Sequence, residues 1–80
     1  MIQVRYFARL RDQLGSPGEE MNEFPPTIGE LAERLAARGG NWAEALGGTV
    51  LMAINQEMVG PDAPLKDGDE VAFLPPVTGG

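Results

Sequence analysis

A short amphipathic helix, predicted over residues 28–38, constrains the fold of this chain more than any other segment. Thr27 is suited to the N-cap position, and Glu30 three residues later completes a capping-box pattern. Pro25-Pro26 precedes the segment and Gly39-Gly40 ends it. The apolar residues repeat at helical spacing: Ile28, Leu31, Ala32, Leu35 and Ala36. The pattern therefore predicts one main helix with a single apolar face.

Strand patterns lie on both sides of this helix. Residues 2–8 alternate, so that Ile2, Val4, Tyr6 and Ala8 share a predicted core face, while the opposite face is polar except for Phe7. The remaining predictions are a helical turn at 10–14, a Ser16-Pro17-Gly18 turn, a weak strand at 19–24, a short helix at 42–46 capped by Asn41, and strands at 50–55, 58–59 and 70–74.

The order of these elements predicts an α+β fold. A hairpin, a crossing helix and then further strands are typical of the ubiquitin-like β-grasp, with a mixed sheet, one main helix and one short helix. Eighty residues suffice for one small domain. We expect a β-grasp domain at residues 1–74 and a flexible C-terminal tail at residues 75–80.

Composition excludes several classes of function. The chain contains no Cys and no His, so thiol catalysis and His-ligated metal sites are ruled out on this chain. Its net charge of −6 argues against nucleic-acid and anionic-membrane partners. No stretch is long enough to span a membrane, and the start lacks a signal-peptide layout, so we expect a cytoplasmic protein. Asp67-Gly68-Asp69-Glu70 is interpreted as a turn, and no metal site is expected.

The last ten residues carry no charged side chain. Pro75 and Pro76 stiffen the backbone, and the β-branched Val77 and Thr78 favour an extended chain. Gly79 and Gly80 lack a Cβ, so a partner can grip the backbone closely. Extended, the tail from Pro75 spans about 20 Å. We therefore expect the tail to enter a partner's pocket, with the Gly80 carboxylate as its reactive group.

A second set of residues predicts a docking surface. Phe7, Met58 and Leu74 lie on outer strands and could form an apolar patch beside the tail. The alternative is that one or more of them belong to the core. Arg5, Arg9 and Arg11 could pair with carboxylates of a partner or form a solvated face. Trp42 is interpreted as a packing residue.

Three segments together resemble a known family. The start Ile2-Gln3-Val4-Arg5-Tyr6-Phe7-Ala8-Arg9-Leu10-Arg11, the block Leu65-Lys66-Asp67-Gly68-Asp69-Glu70-Val71-Ala72-Phe73 and the ending Pro75-Pro76-Val77-Thr78-Gly79-Gly80 are similar to the small, sulfur-carrier subunit of molybdopterin synthase. The similarity covers essentially the whole chain. Leu74 stands where an aromatic residue is common in such proteins.

The resemblance implies a mechanism and a set of partners. An E1-like enzyme would use ATP to adenylate Gly80, next to Gly79, and a sulfurtransferase would convert the adenylate to a thiocarboxylate. The tail would then donate sulfur to cyclic pyranopterin monophosphate inside the large synthase subunit, in a heterotetramer. Phe7, Arg11, Met58, Leu74 and residues 75–78 would contact partners. The chain itself would bind no cofactor and act as a non-catalytic, sulfur-donating subunit of a transferase.

Three alternatives stay open at this point. The chain could carry sulfur for thiamin synthesis or tRNA thiolation, although such carriers tend to be shorter. It could be a ubiquitin-like modifier that forms isopeptide bonds, because the activation step is shared. It could also be a plain β-grasp binding module whose tail is inert.

Overall fold

The computed structural model describes residues 1–76, and within them the chain folds around one five-stranded sheet of order β2-β1-β5-β3-β4. The strands are β1 (Ile2–Tyr6), β2 (Gly18–Met21), β3 (Leu51–Ile54), β4 (Glu57–Val59) and β5 (Glu70–Leu74); the helices are α1 (Ala8–Leu14), α2 (Ile28–Ala36) and α3 (Asn41–Leu46). β1 pairs with β5 in parallel, and every other pairing is antiparallel. This mixed sheet with a crossing helix confirms the predicted α+β β-grasp.

The core lies between one face of the sheet and the helices. Ile2, Val4 and Tyr6 of β1 are buried, as the alternation predicts, together with Val71 and Phe73 of β5. Helix α2 covers them with the apolar stripe read from the sequence, of which Ile28, Leu31, Ala32 and Leu35 are buried. The hydrophobic effect of this single core is the main stabilising term of so small a domain.

Helix α2 begins where the capping pattern predicts and ends at Ala36, two residues before the predicted end. Thr27 has extended backbone, and its Oγ1 accepts a hydrogen bond from the Glu30 backbone N–H at 3.3 Å. The first turn is also held from outside, because the Gly29 N–H donates to the Pro61 carbonyl at 2.9 Å. A Cβ at Gly29 would lie 2.8 Å from that carbonyl oxygen, so only glycine allows this close approach.

The boundaries of α1, α3 and β2 differ from the predicted ones. Helix α1 begins at Ala8, two residues before the predicted turn, so Ala8 is exposed and does not join the core face of β1. Asn41 lies inside α3, and Gly40, with φ of 55°, is its N-cap. β2 starts at Gly18 and ends at Met21, earlier than predicted. Local propensity alone did not show these limits because tertiary packing decides them.

Four side chains from four parts of the chain form a closed ring at one edge of the core. The Tyr6 hydroxyl donates to Glu19 Oε2 at 3.0 Å. Arg38 donates to both oxygens of Glu19, at 2.9 and 2.8 Å. The Arg38 guanidinium lies 4.4 Å from the centroid of the Trp42 ring, and Trp42 meets Tyr6 edge to face at 5.4 Å. The ring therefore ties the β1–β2 hairpin to the segment that joins α2 and α3.

Charge assistance makes the Glu19–Arg38 contact the strongest link of this ring. The bidentate hydrogen bonds from Arg38 hold the pKa of the Glu19 carboxyl below its ordinary 4.5. Burial, followed by the negative charge of Glu19, raises the pKa of the Tyr6 hydroxyl, which therefore stays a hydrogen-bond donor. The sequence does not reveal the Glu19–Arg38 pair, because the two residues lie 19 positions apart and only the fold brings them together.

Within residues 1–76, no helix has both the length and the apolar character that crossing a membrane requires.

We predict that Glu19→Gln lowers the free energy of unfolding at neutral pH by about 1 kcal/mol, because the charge-assisted pair with Arg38 is lost. The folded pKa of Glu19 is depressed, so its stabilisation is present above pH 4.5 and is lost as the pH falls through the lowered value. The variant should therefore lose less stability than the wild type below pH 4.5. Urea unfolding at several pH values measures both effects.

Glu20→Gln is the matched control, because Glu20 is exposed on the same strand and lies on the opposite face. It should change stability by only a few tenths of a kcal/mol. Equal pH profiles for the Glu19 and Glu20 variants would contradict the assignment.

Candidate docking face and tail root

The face of the sheet opposite the core is divided into a charged half and an apolar half. Strand register places Phe7, Leu51, Met58, Ala72 and Leu74 on this outer face, and we call these five residues the outer patch. Buried Ala53 lies among them, opposite both Ala72 and Met58. The charged half contains the ion pair of Arg5 Nε with Glu70 Oε2 at 2.9 Å.

Phe7 is exposed in the structure, as its polar face-mates predicted. It follows the last residue of β1 and keeps 44% of its surface exposed. Its backbone N–H donates to the Phe73 carbonyl at 3.1 Å, which continues the parallel ladder by one residue. An aromatic side chain held outward by a rigid strand is a typical anchor for a protein partner.

The residue after Phe7 has an unusual backbone. Ala8 has φ of 52°, in the left-handed region that costs a residue with a Cβ roughly 1 kcal/mol. This conformation ends β1 and allows α1 to start at once. The strained position lies directly beside the exposed aromatic, so it decides where the strand stops and how Phe7 is presented.

Met58 and Leu74 also lie outside the core. Met58 is 56% exposed on edge strand β4. Leu74, at the end of β5, is half-buried on the outer face opposite Leu51. The alternative that these two residues belong to the core is therefore wrong, while their role in binding stays a prediction.

The root of the tail lies beside a groove at the end of the sheet where β5 ends. Pro75 and Pro76 are both half-buried. Pro76 lines a groove of about 400 Å³ together with Arg9 and Gln13 of α1, Glu44 of α3 and Thr49 after it. Val77, Thr78, Gly79 and Gly80 lie outside the described residues, so their predicted roles are not placed by the structure.

The three arginines at the start of the chain do not form one cluster. Arg5 is held by Glu70 on the outer face, Arg9 lines the groove, and Arg11 is exposed on α1. In the described part of the chain, neither Arg9 nor Arg11 forms an ion pair. Arg11 contributes to neither the outer patch nor the groove lining, and its contact with a partner stays a prediction.

The acidic turn has a structural use. Asp69 accepts hydrogen bonds from the Lys66 N–H at 2.8 Å and from Asn55 Nδ2 at 3.0 Å, while Gly68 has φ of 90°. The predicted turn is confirmed for residues 67–69, while Glu70 is the first residue of β5. Across residues 1–76, no group of three or more Asp and Glu side chains is placed to hold a metal ion.

Several residues of this site are not predicted from the sequence. Leu51 and Ala72 belong to the outer patch, and the period-two alternation of β3 and β5 could have found them. Gln13, Glu44 and Thr49 at the groove could not have been found, because tertiary packing alone brings α1 and α3 together.

A β-grasp sheet with an apolar patch on its outer face, next to the prolines that follow β5, is typical of a small domain of the ubiquitin-like class. The profile of the ThiS family matches residues 4–80. The chain belongs to the ThiS family.

Individual proteins of this kind are similar to the chain over nearly its whole length. The chain is 48% identical to the molybdopterin synthase sulfur carrier subunit of Escherichia coli (strain K12), over the full length of both chains. A Pyrococcus furiosus structure assigned to subunit 1 of molybdopterin converting factor is 34% identical, with a TM-score of 0.77 over 95% of this chain and 97% of that one. A chain of the Helicobacter pylori 26695 complex of subunits 1 and 2 of molybdopterin-converting factor is 29% identical, with a TM-score of 0.70 over 99% of this chain and 97% of that one.

We predict that Ala8→Gly leaves the domain equally stable or stabilises it by up to about 1 kcal/mol, because glycine adopts positive φ without a steric cost. Ala8→Val should destabilise it by more than about 1 kcal/mol, since a β-branched side chain is poorly tolerated there. Urea unfolding of each variant gives the free energies. Ala43→Gly, on the exposed side of helix α3, is the control and should cost about 1 kcal/mol. A loss at Ala8→Gly as large as at Ala43→Gly would contradict a left-handed Ala8.

Proposed function

We propose that this chain is the sulfur carrier subunit of a molybdopterin synthase. The observation that carries the proposal is that the tail leaves β5 directly beside the outer patch, since Leu74 belongs to the patch and Pro75 follows it. A partner that covers the patch is thus positioned to receive the tail. The full-length identity to the Escherichia coli sulfur carrier subunit supports the same function.

The reactive group is the Gly80 carboxylate. A carboxylate is a poor acyl donor until its oxygen becomes a good leaving group. An E1-like enzyme would use ATP to form the acyl-adenylate and release pyrophosphate. A persulfide on a sulfurtransferase would then attack the Gly80 carbonyl, so that a C–S bond forms, the C–O bond to phosphate breaks and AMP leaves. A thiol would then attack the S–S bond of this acyl disulfide, so that a new disulfide forms on the sulfurtransferase side and the thiocarboxylate is released. The thiocarboxylate is a sulfur nucleophile at neutral pH.

The second half of the cycle takes place in the large subunit. The thiocarboxylate would donate sulfur to cyclic pyranopterin monophosphate, and two rounds would build a dithiolene. Because residues 71–80 carry no ionisable side chain into the pocket, we assign the proton transfers to the large subunit. The chain binds no cofactor in this account, since ATP is consumed by the activating enzyme. A reducing, cytoplasmic location fits a chain without disulfides.

The outer patch is the proposed contact with the large subunit. In the Helicobacter pylori structure, subunit 1 of molybdopterin-converting factor is in complex with subunit 2. We infer the same pairing here, within a heterotetramer that carries one small subunit at each end of a dimer of large subunits. Phe7, Met58 and Leu74 supply apolar area, and the prolines reduce the entropy lost when the tail is ordered.

Deletion of Gly80 should abolish sulfur transfer without unfolding the domain, and so should one extra residue after it. Either change moves the reactive carboxylate by one residue, while the core lies in residues 2–73. A coupled assay with the activating enzyme, sulfur source and large subunit measures transfer, and thermal unfolding checks the fold. Wild-type turnover in either variant would refute the carrier function.

Phe7→Ala should weaken binding to the large subunit by about tenfold or more, because exposed aromatic anchors carry much of the binding energy. Its stability loss should stay below about 1 kcal/mol, since Phe7 is half exposed and outside the core. Calorimetry with the large subunit gives the affinity. Gln3→Ala, in the charged half of the same face, is the matched control. Unchanged affinity together with a large stability loss would assign Phe7 to the core.

A further inference from the structure

Amines are scarce in this chain. Five of its six basic residues are arginine, and Lys66 is the single lysine. An amine attacks an activated acyl group through the lone pair of its neutral form. A guanidinium is delocalised and effectively always protonated, so arginine supplies positive charge without a nucleophilic nitrogen.

The amines lie together at one end of the sheet. Lys66 belongs to the turn before β5, where its N–H donates to Asp69 Oδ2. The Gly68 N–H of that turn donates to the Met1 carbonyl at 2.7 Å, and the Met1 ammonium forms an ion pair with Asp67. Lys66 and the Met1 amine therefore share the end at which the parallel strands β1 and β5 begin.

The tail leaves from the other end. The five residues of β5 span about 13 Å between the Lys66 turn and Leu74, and the prolines follow Leu74. The four residues beyond Pro76 reach at most about 13 Å. To meet an amine of its own chain, Gly80 would have to turn back along the whole strand. The basic side chain beside the tail root is Arg9, which lines the groove with Pro76.

We propose that this separation of amines from the tail root determines the acceptor of the activated C-terminus, by preventing the chain from acylating itself. The inference rests on the proposed function, in which Gly80 becomes an acyl-adenylate. In the side reaction that is avoided, an amine nitrogen attacks the Gly80 carbonyl, a C–N bond forms, the C–O bond to phosphate breaks, AMP leaves and the amine loses a proton to water. The activated terminus instead survives until sulfur arrives.

Hydroxyl groups near the tail root do not replace the amines. The Tyr6 hydroxyl is buried and donates to Glu19, and burial raises its pKa. Thr49 lines the groove, but a neutral hydroxyl is a much weaker nucleophile than a neutral amine. Position 9 is therefore the place where a nucleophilic side chain would most readily attack the activated Gly80 carbonyl.

A C-terminal thioester of the full chain, generated at Gly80 by intein cleavage, tests the inference without an activating enzyme. On incubation at mildly alkaline pH, an amine within reach attacks the thioester carbonyl, the C–S bond breaks and the thiol leaves. The product is one thiol lighter than the thioester, and its cross-link can be mapped by peptide mass spectrometry. The wild type should yield the hydrolysed chain and no cyclic product.

Arg9→Lys keeps the charge and places an amine in the groove, and it should form a cyclic product that joins residue 9 to Gly80. Gln3→Lys adds the same amine near the start of β1 and is the control. Arg9→Lys should cyclise about tenfold more than Gln3→Lys, because a tethered group nearby has a higher effective concentration. Thermal unfolding confirms that both variants fold.

Two results would overturn the inference. One is a cyclic wild-type product through Lys66 or Met1, and the other is equal cyclisation of the Arg9 and Gln3 variants. Failure of the proposed function would show instead as a chain that no activating enzyme adenylates, which leaves the thioester result unaffected.

Discussion

The parallel pairing of β1 with β5 is the contact on which the rest of this structure depends. It aligns Tyr6 with Phe73, and the next backbone hydrogen bond, from Phe7 to Phe73, fixes the end of β1 beside the end of β5. Because parallel strands run in the same direction, both ends emerge together. The exposed aromatic and the root of the tail are therefore neighbours, although they lie far apart in the sequence. The same pairing brings Met1 and Lys66 together at the opposite end.

The ring of Tyr6, Glu19, Arg38 and Trp42 stabilises the sheet on its core face, behind the pairing of β1 with β5. β2 is a short edge strand, and its ladder to β1 alone would hold it weakly. Glu19 joins it to Arg38 and through Arg38 to Trp42, so the edge of the sheet is tied to the helices. Tyr6 also stacks on Phe73 at 6.3 Å. Tyr6, the residue before Phe7, therefore belongs both to the ring and to the pairing of β1 with β5.

The hydrophobic periodicity and the capping and turn residues of the sequence were enough to predict the β-grasp, its main helix and the exposure of Phe7. The helix was clear because Thr27 and the apolar stripe act within a few residues of one another. The left-handed backbone of Ala8 has no local signature, since alanine normally favours a helix. The Glu19–Arg38 pair and the groove beside Pro76 depend on which elements pack together, so only the fold reveals them. The roles of Val77, Thr78, Gly79 and Gly80 rest on sequence and family likeness.

The central claim is that Gly80 carries sulfur as a thiocarboxylate, and intact-mass spectrometry tests it most directly. The purified chain would be incubated with ATP, an E1-like activating enzyme and a sulfide source, with a carrier known to be activated run in parallel. The account predicts a mass gain that corresponds to replacement of one oxygen by sulfur, mapped to Gly80. An unchanged mass, in an experiment where the control carrier does form its thiocarboxylate, would contradict the claim.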